Sequence, residues 1–283
     1  MRKISTQRQI LSQLIFVLAG LFVLLPIWGI FRLAFDGSLQ SRATEFHLFP
    51  EEFTLAPLAR AWTNPYQTVT FPDLLRNSLV VGLGAALVAV ILGASLAYAF
   101  ARFRFAGREV GLFVLLLAAL LPLIAFATPL YVLLTALKIR TSLWALIIVY
   151  AAFAMPFCIW NMRAAFQAVP NELEEAAFLD GAGNFTSFIR ITLPLAAPSI
   201  AVAALIAFLM AYSEFTIGWL FVEKAANVTL AMAIYATLAS GSIQPWSVTG
   251  SLMLMMSVPV VVIVLLLQRA LLDRWLFGTS GAN

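Results

Sequence analysis

Residues 74–100 read LLRNSLVVGLGAALVAVILGASLAYAF. Beyond Arg76 the stretch carries no charge, and a helix of this length exceeds the ~30 Å hydrocarbon core of a bilayer. Its apolar residues are not sustained at every second position, so it does not read as a barrel strand. The stretch reads as a transmembrane helix. Five more runs of comparable character lie at about 10–35, 110–137, 143–162, 199–221 and 246–267. The chain is therefore expected to be an all-α polytopic membrane protein with six transmembrane helices, built as a single transmembrane domain over residues 1–283.

Composition agrees with this reading. Of the 283 residues, 63% are hydrophobic and 11% charged, and the mean hydropathy is +0.98, well outside the range of soluble domains. The first run is too long for a signal-peptide core and lacks a small-x-small cleavage site, so it reads as a retained span. A net charge of +4 would suggest nucleic acid in a soluble protein. Here its expected source is the Lys/Arg excess beside membrane helices, so no nucleic-acid partner is expected. Cys158 is the single cysteine and His47 the single histidine. Cys158 reads as a small buried hydrophobe, and no histidine-based metal site or catalytic triad is expected.

The segments between runs carry the polar residues. Residues 36–73 hold Pro50, Pro57, Pro65 and Pro72 and are too short and proline-broken for a separate domain. Residues 229–240, TLAMAIYATLAS, are apolar but too short to cross, and are expected to form an interfacial or re-entrant helix. An even number of spans places both termini on one side. That side holds ten of the seventeen Lys and Arg residues, including Arg2, Lys3, Arg8, Arg102, Arg104 and Arg108, so it is expected to be cytoplasmic. The loop 163–198 and the tail 268–283 then face the cytoplasm, and 36–73 is extracytoplasmic.

The loop 163–198 contains EEAAFLDGAG at residues 174–183, unusually acidic for this chain. Asn171 is placed to cap a helix start, with Glu174 answering as the second half of a capping box. Leu173, Ala176, Ala177 and Asp180 recur at helical spacing on one small, lightly apolar face. Gly181 and Gly183 are expected to end the helix, and Pro194 and Pro198 to bend the chain as it re-enters the membrane. Alanines permit close approach and carboxylates can find arginines. Such a helix is suited to lie in a groove of another molecule, whereas a membrane-surface helix would carry bulky apolar and basic residues.

The run EEAAFLDGAGNFTSFIRITLPLAAP resembles the EAA loop of bacterial ATP-binding-cassette import permeases. Glu175, Ala176, Ala177, Gly181, Ile191, Leu193 and Pro194 match its pattern without insertion. The likeness extends through Asn77-Ser78-Leu79, AYAFARFRFAGR, MPFCIWNMRAAFQAVPNELEEAA and the terminal QRALLDRWLFGTSGA, and is greatest to the MalG-like permeases of carbohydrate importers. It implies the type I importer permease fold and a coupling helix that docks on a cytoplasmic ATPase through Glu174, Glu175, Ala176, Ala177, Asp180, Gly181 and Gly183. Ile191, Leu193 and Pro194 would shape the loop. It also implies a second homologous permease, two ATPase subunits, an extracytoplasmic solute-binding protein and a carbohydrate cargo such as maltose, trehalose or an oligosaccharide, with a polyol or glycerol phosphate as the alternative. ATP and Mg would bind the ATPase, and no cofactor would bind this chain. Where the sugar branch commonly carries Trp-Asn-Glu-Phe, this chain reads Tyr212-Ser213-Glu214-Phe215, and its glycine-rich tail is reduced, with Gly278 and Gly281 retained.

Glu214 reads as the one carboxylate deep within a span. Such groups face the bundle interior or a water-filled path, so Tyr212, Ser213 and Glu214 are candidates for the translocation path, or for hydrogen bonds between helices. The chain has no Gly-x-x-x-x-Gly-Lys-Ser/Thr nucleotide loop and is not expected to be an enzyme itself. It has no visible inverted repeat, which disfavours an ion-coupled secondary transporter.

Overall fold

The computed structural model describes residues 6–39, 47–240 and 245–277, and of residues 6, 240 and 269–277 the backbone alone. In chain order the helices are α1 (Thr6–Phe35), α2 (Ala56–Thr63), α3 (Phe71–Arg102), α4 (Arg108–Leu120), α5 (Ala127–Ala136), α6 (Leu143–Ala168), α7 (Asn171–Leu179), α8 (Asn184–Ser187), α9 (Leu193–Leu195), α10 (Ala197–Ser213), α11 (Thr216–Phe221), α12 (Leu230–Ser240) and α13 (Trp246–Phe277). A π-helical turn, Phe188–Thr192, joins α8 to α9. Among the described residues there is no strand, only the isolated bridges Asp36–Phe53 and Tyr66–Val69.

Four helices, α1, α3, α6 and α13, are long and apolar enough to cross a bilayer unaided. Two bent helix pairs bring the number to six where each pair counts as one span. The first runs 108–136 and turns by 99° between Leu120 and Leu123, where Pro122 takes an extended conformation that an α-helix cannot continue through. The second runs 184–213 and turns by 79° at Ala196, between Pro194 and Pro198, as the sequence predicts. Pro26, Pro156 and Pro259 lie inside continuous helices instead.

Three helices end elsewhere than the expected spans. The helix of the fourth continues to Ala168, past the expected span end at 162, and Val169 and Pro170 then end it. The fifth is not one helix to Phe221: α10 stops at Ser213, and Glu214 is extended. The sixth runs on as α13 to Phe277, so the expected tail is helical from 268 to 277. The expectations for Arg2, Lys3, Gly278 and Gly281 fall outside the described residues.

The chain divides into two compact units, each built from separated segments: Met1–Phe71 with Ile234–Val258, and Pro72–Ala233 with Pro259–Asn283. In the first, Ser251 donates its hydroxyl to the Ala34 carbonyl at 3.0 Å, joining α13 to α1. At the end of α1 the Asp36 carboxylate is fully buried. It pairs with Arg32 at 3.3 Å and accepts the Ser38 hydroxyl at 2.6 Å and the N–H groups of Ser38, Glu51 and Glu52. Burial pushes this carboxyl up, but the hydrogen bonds from Ser38 and the backbone N–H groups outweigh it and hold it below its ordinary 3.8. A carboxyl with a depressed folded value contributes stability that is fully present above the unfolded value and lost as pH falls through the folded one. Asp36→Asn at neutral pH is accordingly expected to raise amide exchange at Ser38, Glu51 and Glu52 roughly tenfold. Unchanged exchange would mean that the carboxylate does not hold this segment.

In the second unit the core lies where α6 meets α10. Ala203, Ala207 and Ala211 form a buried stripe on α10, and Ala151, Ala154 and Cys158 are buried on α6. Small residues let two backbones approach closely where lipid gives no hydrophobic drive between helices. The Cys158 thiol reaches the Ala203 carbonyl at 3.6 Å, as its reading as a small buried residue predicts. A Cβ on Gly82 of α3 would lie 2.9 Å from the Phe208 ring, so α3 needs a glycine there to reach α10. The short apolar segment 229–240, expected to be interfacial or re-entrant, forms α12. Leu230–Ile234, Ala236 and Thr237 are buried, because this short helix is apolar around its circumference.

Candidate functional site

The acidic loop helix is α7. Pro170 occupies the position before its first turn and makes no side-chain cap. Asn171 is already helical, so the expected capping box does not form. Glu174 is the reason. Its side chain turns inward, leaving the residue 5% exposed, because stronger partners wait there. Its carboxylate accepts the Arg102 Nε–H at 2.9 Å and the Tyr98 hydroxyl at 3.0 Å, both from the end of α3. The Thr192 hydroxyl of the π-helical turn donates to it as well. A buried, charge-assisted bond to a guanidinium outweighs a solvent-exposed capping bond. Glu174 is therefore not part of a docking face, contrary to the sequence expectation.

The opposite side of α7 is free. Glu172, Glu175, Ala176, Leu179 and Asp180 are exposed, Leu179 at 91%. Leu173 is 44% exposed. Farther along, Phe185 of α8 is 77% exposed. Ala177 is half-buried and lines a groove of about 580 Å³ that this chain itself forms with Asp180, Gly181, Thr186, Arg190 and Ile191.

Gly181 ends the helix in the manner the sequence predicts. Its φ is +85°, its N–H donates to the Phe178 carbonyl, and the Ala182 N–H donates to the Ala177 carbonyl. This is the Schellman arrangement, and it requires a left-handed residue at that position. Gly183 carries no such demand: its φ of −84° and ψ of 169° are ordinary extended backbone. One glycine, not two, makes the exit. Ile191 belongs to the π-helical turn, and Leu193 and Pro194 to α9, so the matched I-x-L-P residues form the helical turns just ahead of the bend into α10.

Toward the other end of α10, Glu214 stands at a break between helices rather than within one. Its carboxylate accepts the N–H groups of Thr216, Ile217 and Gly218 at 2.7–3.4 Å, capping α11. The Tyr150 hydroxyl of α6 donates to it at 2.5 Å. Tyr212 is buried and stacks on Phe208 at 5.0 Å. Ser213 is exposed and donates back to the Leu209 carbonyl. The three candidates for the path are thus neighbours in sequence with separate surroundings.

Nearby contacts give the Asn77-Ser78 pair a role. The Asn77 amide donates to the carbonyls of Ala226 and Val228 at 2.7 and 2.9 Å, and the Ser78 hydroxyl accepts the Leu230 N–H at 2.7 Å. Arg140 likewise ties its loop to the Phe221 carbonyl and to the Glu223 carboxylate. Sequence reasoning missed Tyr98, Arg102, Thr192 and Tyr150 as partners of the two carboxylates. The available signal was modest: Tyr98 and Arg102 are four residues apart, hence on one face of α3.

The free acidic helix, its left-handed glycine exit and the proline bend into a span coincide with a family pattern. The profile described as "Binding-protein-dependent transport system inner membrane component" matches residues 89–277. The chain belongs to this family. It is a multi-pass inner-membrane permease subunit. The permease is 31% identical over 264 residues to the trehalose transport system permease protein SugB of Mycobacterium tuberculosis, covering 92% of each chain. It is also 31% identical over 232 residues to the trehalose/maltose transport system permease protein MalG of Thermococcus litoralis, covering 81% of each. In fold the permease is similar to a chain of a bacterial ABC transporter involved in the import of the acidic polysaccharide alginate. The TM-score is 0.75 at 20% identity, covering 95% of this chain and 99% of that one. This likeness bears out the type I importer permease fold.

Proposed function

We propose that this permease imports a carbohydrate and that the exposed face of α7 docks on a separate, cytoplasmic ATPase. The observation that carries the reading is that free face. A nine-residue helix anchored from behind by Glu174 presents Glu175, Ala176 and the almost fully exposed Leu179 outward. Outside the hydrocarbon such an exposed apolar side chain has no stabilising contact of its own, and partner docking supplies one. The names of the trehalose and trehalose/maltose relatives support a sugar cargo. In the complete assembly a second homologous permease lines the path, two ATPase subunits bind ATP and Mg, and an extracytoplasmic binding protein delivers the sugar. Closure of the ATPases draws the docked helices together and opens the path outward; release after hydrolysis returns it inward.

This reading requires α7 and both termini to face the cytoplasm, an orientation supported by the excess of Lys and Arg on that side. Single cysteines introduced in a Cys158→Ala background test it. Cysteines at Arg104 and Asp180 are expected to react with an impermeant maleimide only from inside, and one at Glu51 only from outside. Labelling of position 180 from outside would overturn orientation and docking together.

A further inference from the structure

Glu174 has a placement that docking alone does not use. It is an acidic side chain buried where three parts of the second unit converge: the end of α3, α7, and the π-helical turn leading into α10. Arg102 extends the convergence. While its Nε–H donates to Glu174, its Nη2 donates to the Val169 carbonyl at 2.9 Å, just ahead of α7. Tyr98 packs against Phe188 of the turn at 4.6 Å between ring centroids, and lies edge-on to Phe166 of α6 at 6.2 Å.

Stability alone does not call for this arrangement. A buried ion pair can often be replaced by apolar side chains without loss, whereas its hydrogen bonds fix one geometry. An apolar contact between short helices can slide or change rotamer; a carboxylate held by three donors from two directions cannot do so without breaking them. α7 is further held by the chain on either side, entering at Pro170 and leaving through the left-handed Gly181, and by the half-buried Ala177 beside Thr186, Arg190 and Ile191.

We propose that Glu174, with Arg102, Tyr98 and Thr192, is the joint that makes α7 move as one body with α3 and with the start of α10, so that displacement of the docked helix reaches the membrane path. Glu174 is in this sense a positioning residue. The inference rests on the reading that α7 docks the ATPase.

The test uses the assembled permease–ATPase complex in vesicles, with Cys158→Ala and Ser213→Cys in every version. Two quantities are read: ATP hydrolysis, and reaction of Cys at 213 with an impermeant maleimide before and after trapping with ATP and vanadate. In the parent complex, trapping is expected to change labelling roughly fivefold. With Glu174→Gln the ATPase is expected to remain bound and hydrolysis to stay within about twofold, while the trapping-dependent change in labelling shrinks below about twofold. Tyr98→Phe combined with Thr192→Val keeps the packing but removes two donors, and is expected to give the same split should Glu174→Gln fail to accumulate. Thr192→Ser restores a donor and is expected to restore the change.

A full labelling change with either donor-deficient variant would overturn the joint. If Leu179→Asp on the exposed face releases the ATPase in the same preparations, docking stands independently of that result. If Leu179→Asp retains the ATPase and a full trapping response, docking fails and the joint with it.

Discussion

Leu179→Asp is expected to leave a full-length permease in the membrane that no longer co-purifies with its ATPase. Leu179 is the last residue of α7 and 91% exposed, so its removal creates no cavity in the permease. Burying a leucine at an interface contributes about 1.5–3 kcal/mol, and an unpaired carboxylate placed there adds a desolvation cost. Together these weaken docking by about 3 kcal/mol or more, on the order of 100-fold. Neighbouring substitutions grade the effect. Gly181→Asp forces a residue with a Cβ into left-handed backbone at φ +85°, costing about 1–2 kcal/mol, with no steric clash, since nothing lies within 4 Å of the added Cβ. Glu175→Gln removes an exposed charge, which contributes about 0–1 kcal/mol. Pull-down from mild detergent with an epitope on the permease measures all three. Equal ATPase recovery across the series would reduce α7 to a solvated loop helix.

Glu214→Leu is expected to damage the fold before it damages transport. The substitution removes the acceptor for three N–H groups at the start of α11 and for the Tyr150 hydroxyl. Each buried donor left without a partner costs about 1–3 kcal/mol. Because Thr216 is exposed and its N–H can turn to water, a net loss of about 2–4 kcal/mol, roughly 30- to 1000-fold in the folding equilibrium, is expected. Glu214→Gln keeps one acceptor oxygen and is expected to lose less than half as much. Thermal unfolding of the purified permease, with the yield of folded protein, provides the measurement. A Leu variant with wild-type melting and yield, but impaired uptake, would instead place Glu214 on the translocation path.

The two carboxylates separate what sequence reading can reach from what it cannot. Both stand out in an apolar chain, and their unusual positions were legible. Their roles were not, because a role depends on partners far away in sequence. Glu174 meets Tyr98 and Arg102 on another helix, and Glu214 meets Tyr150. The capping box expected at Asn171 failed for the same reason: a local rule weighs local donors, and a distant guanidinium competed and won.

By itself the sequence determined the all-helical class, the six apolar runs, the proline bend before α10 and the left-handed glycine after α7. These are consequences of local chemistry: hydrocarbon length against bilayer thickness, a missing N–H, a missing Cβ. It also held the spaced residues that mark the family. Tertiary structure alone decided where the fifth helix breaks, that Leu230–Ile234, Ala236 and Thr237 are buried, and which of two adjacent glutamates faces inward. The break after α10 and the inward glutamate turn on long-range pairing of polar groups, whose free energy in a low-dielectric interior exceeds local preference; the burial of α12 turns on which apolar surfaces the rest of the chain brings to it.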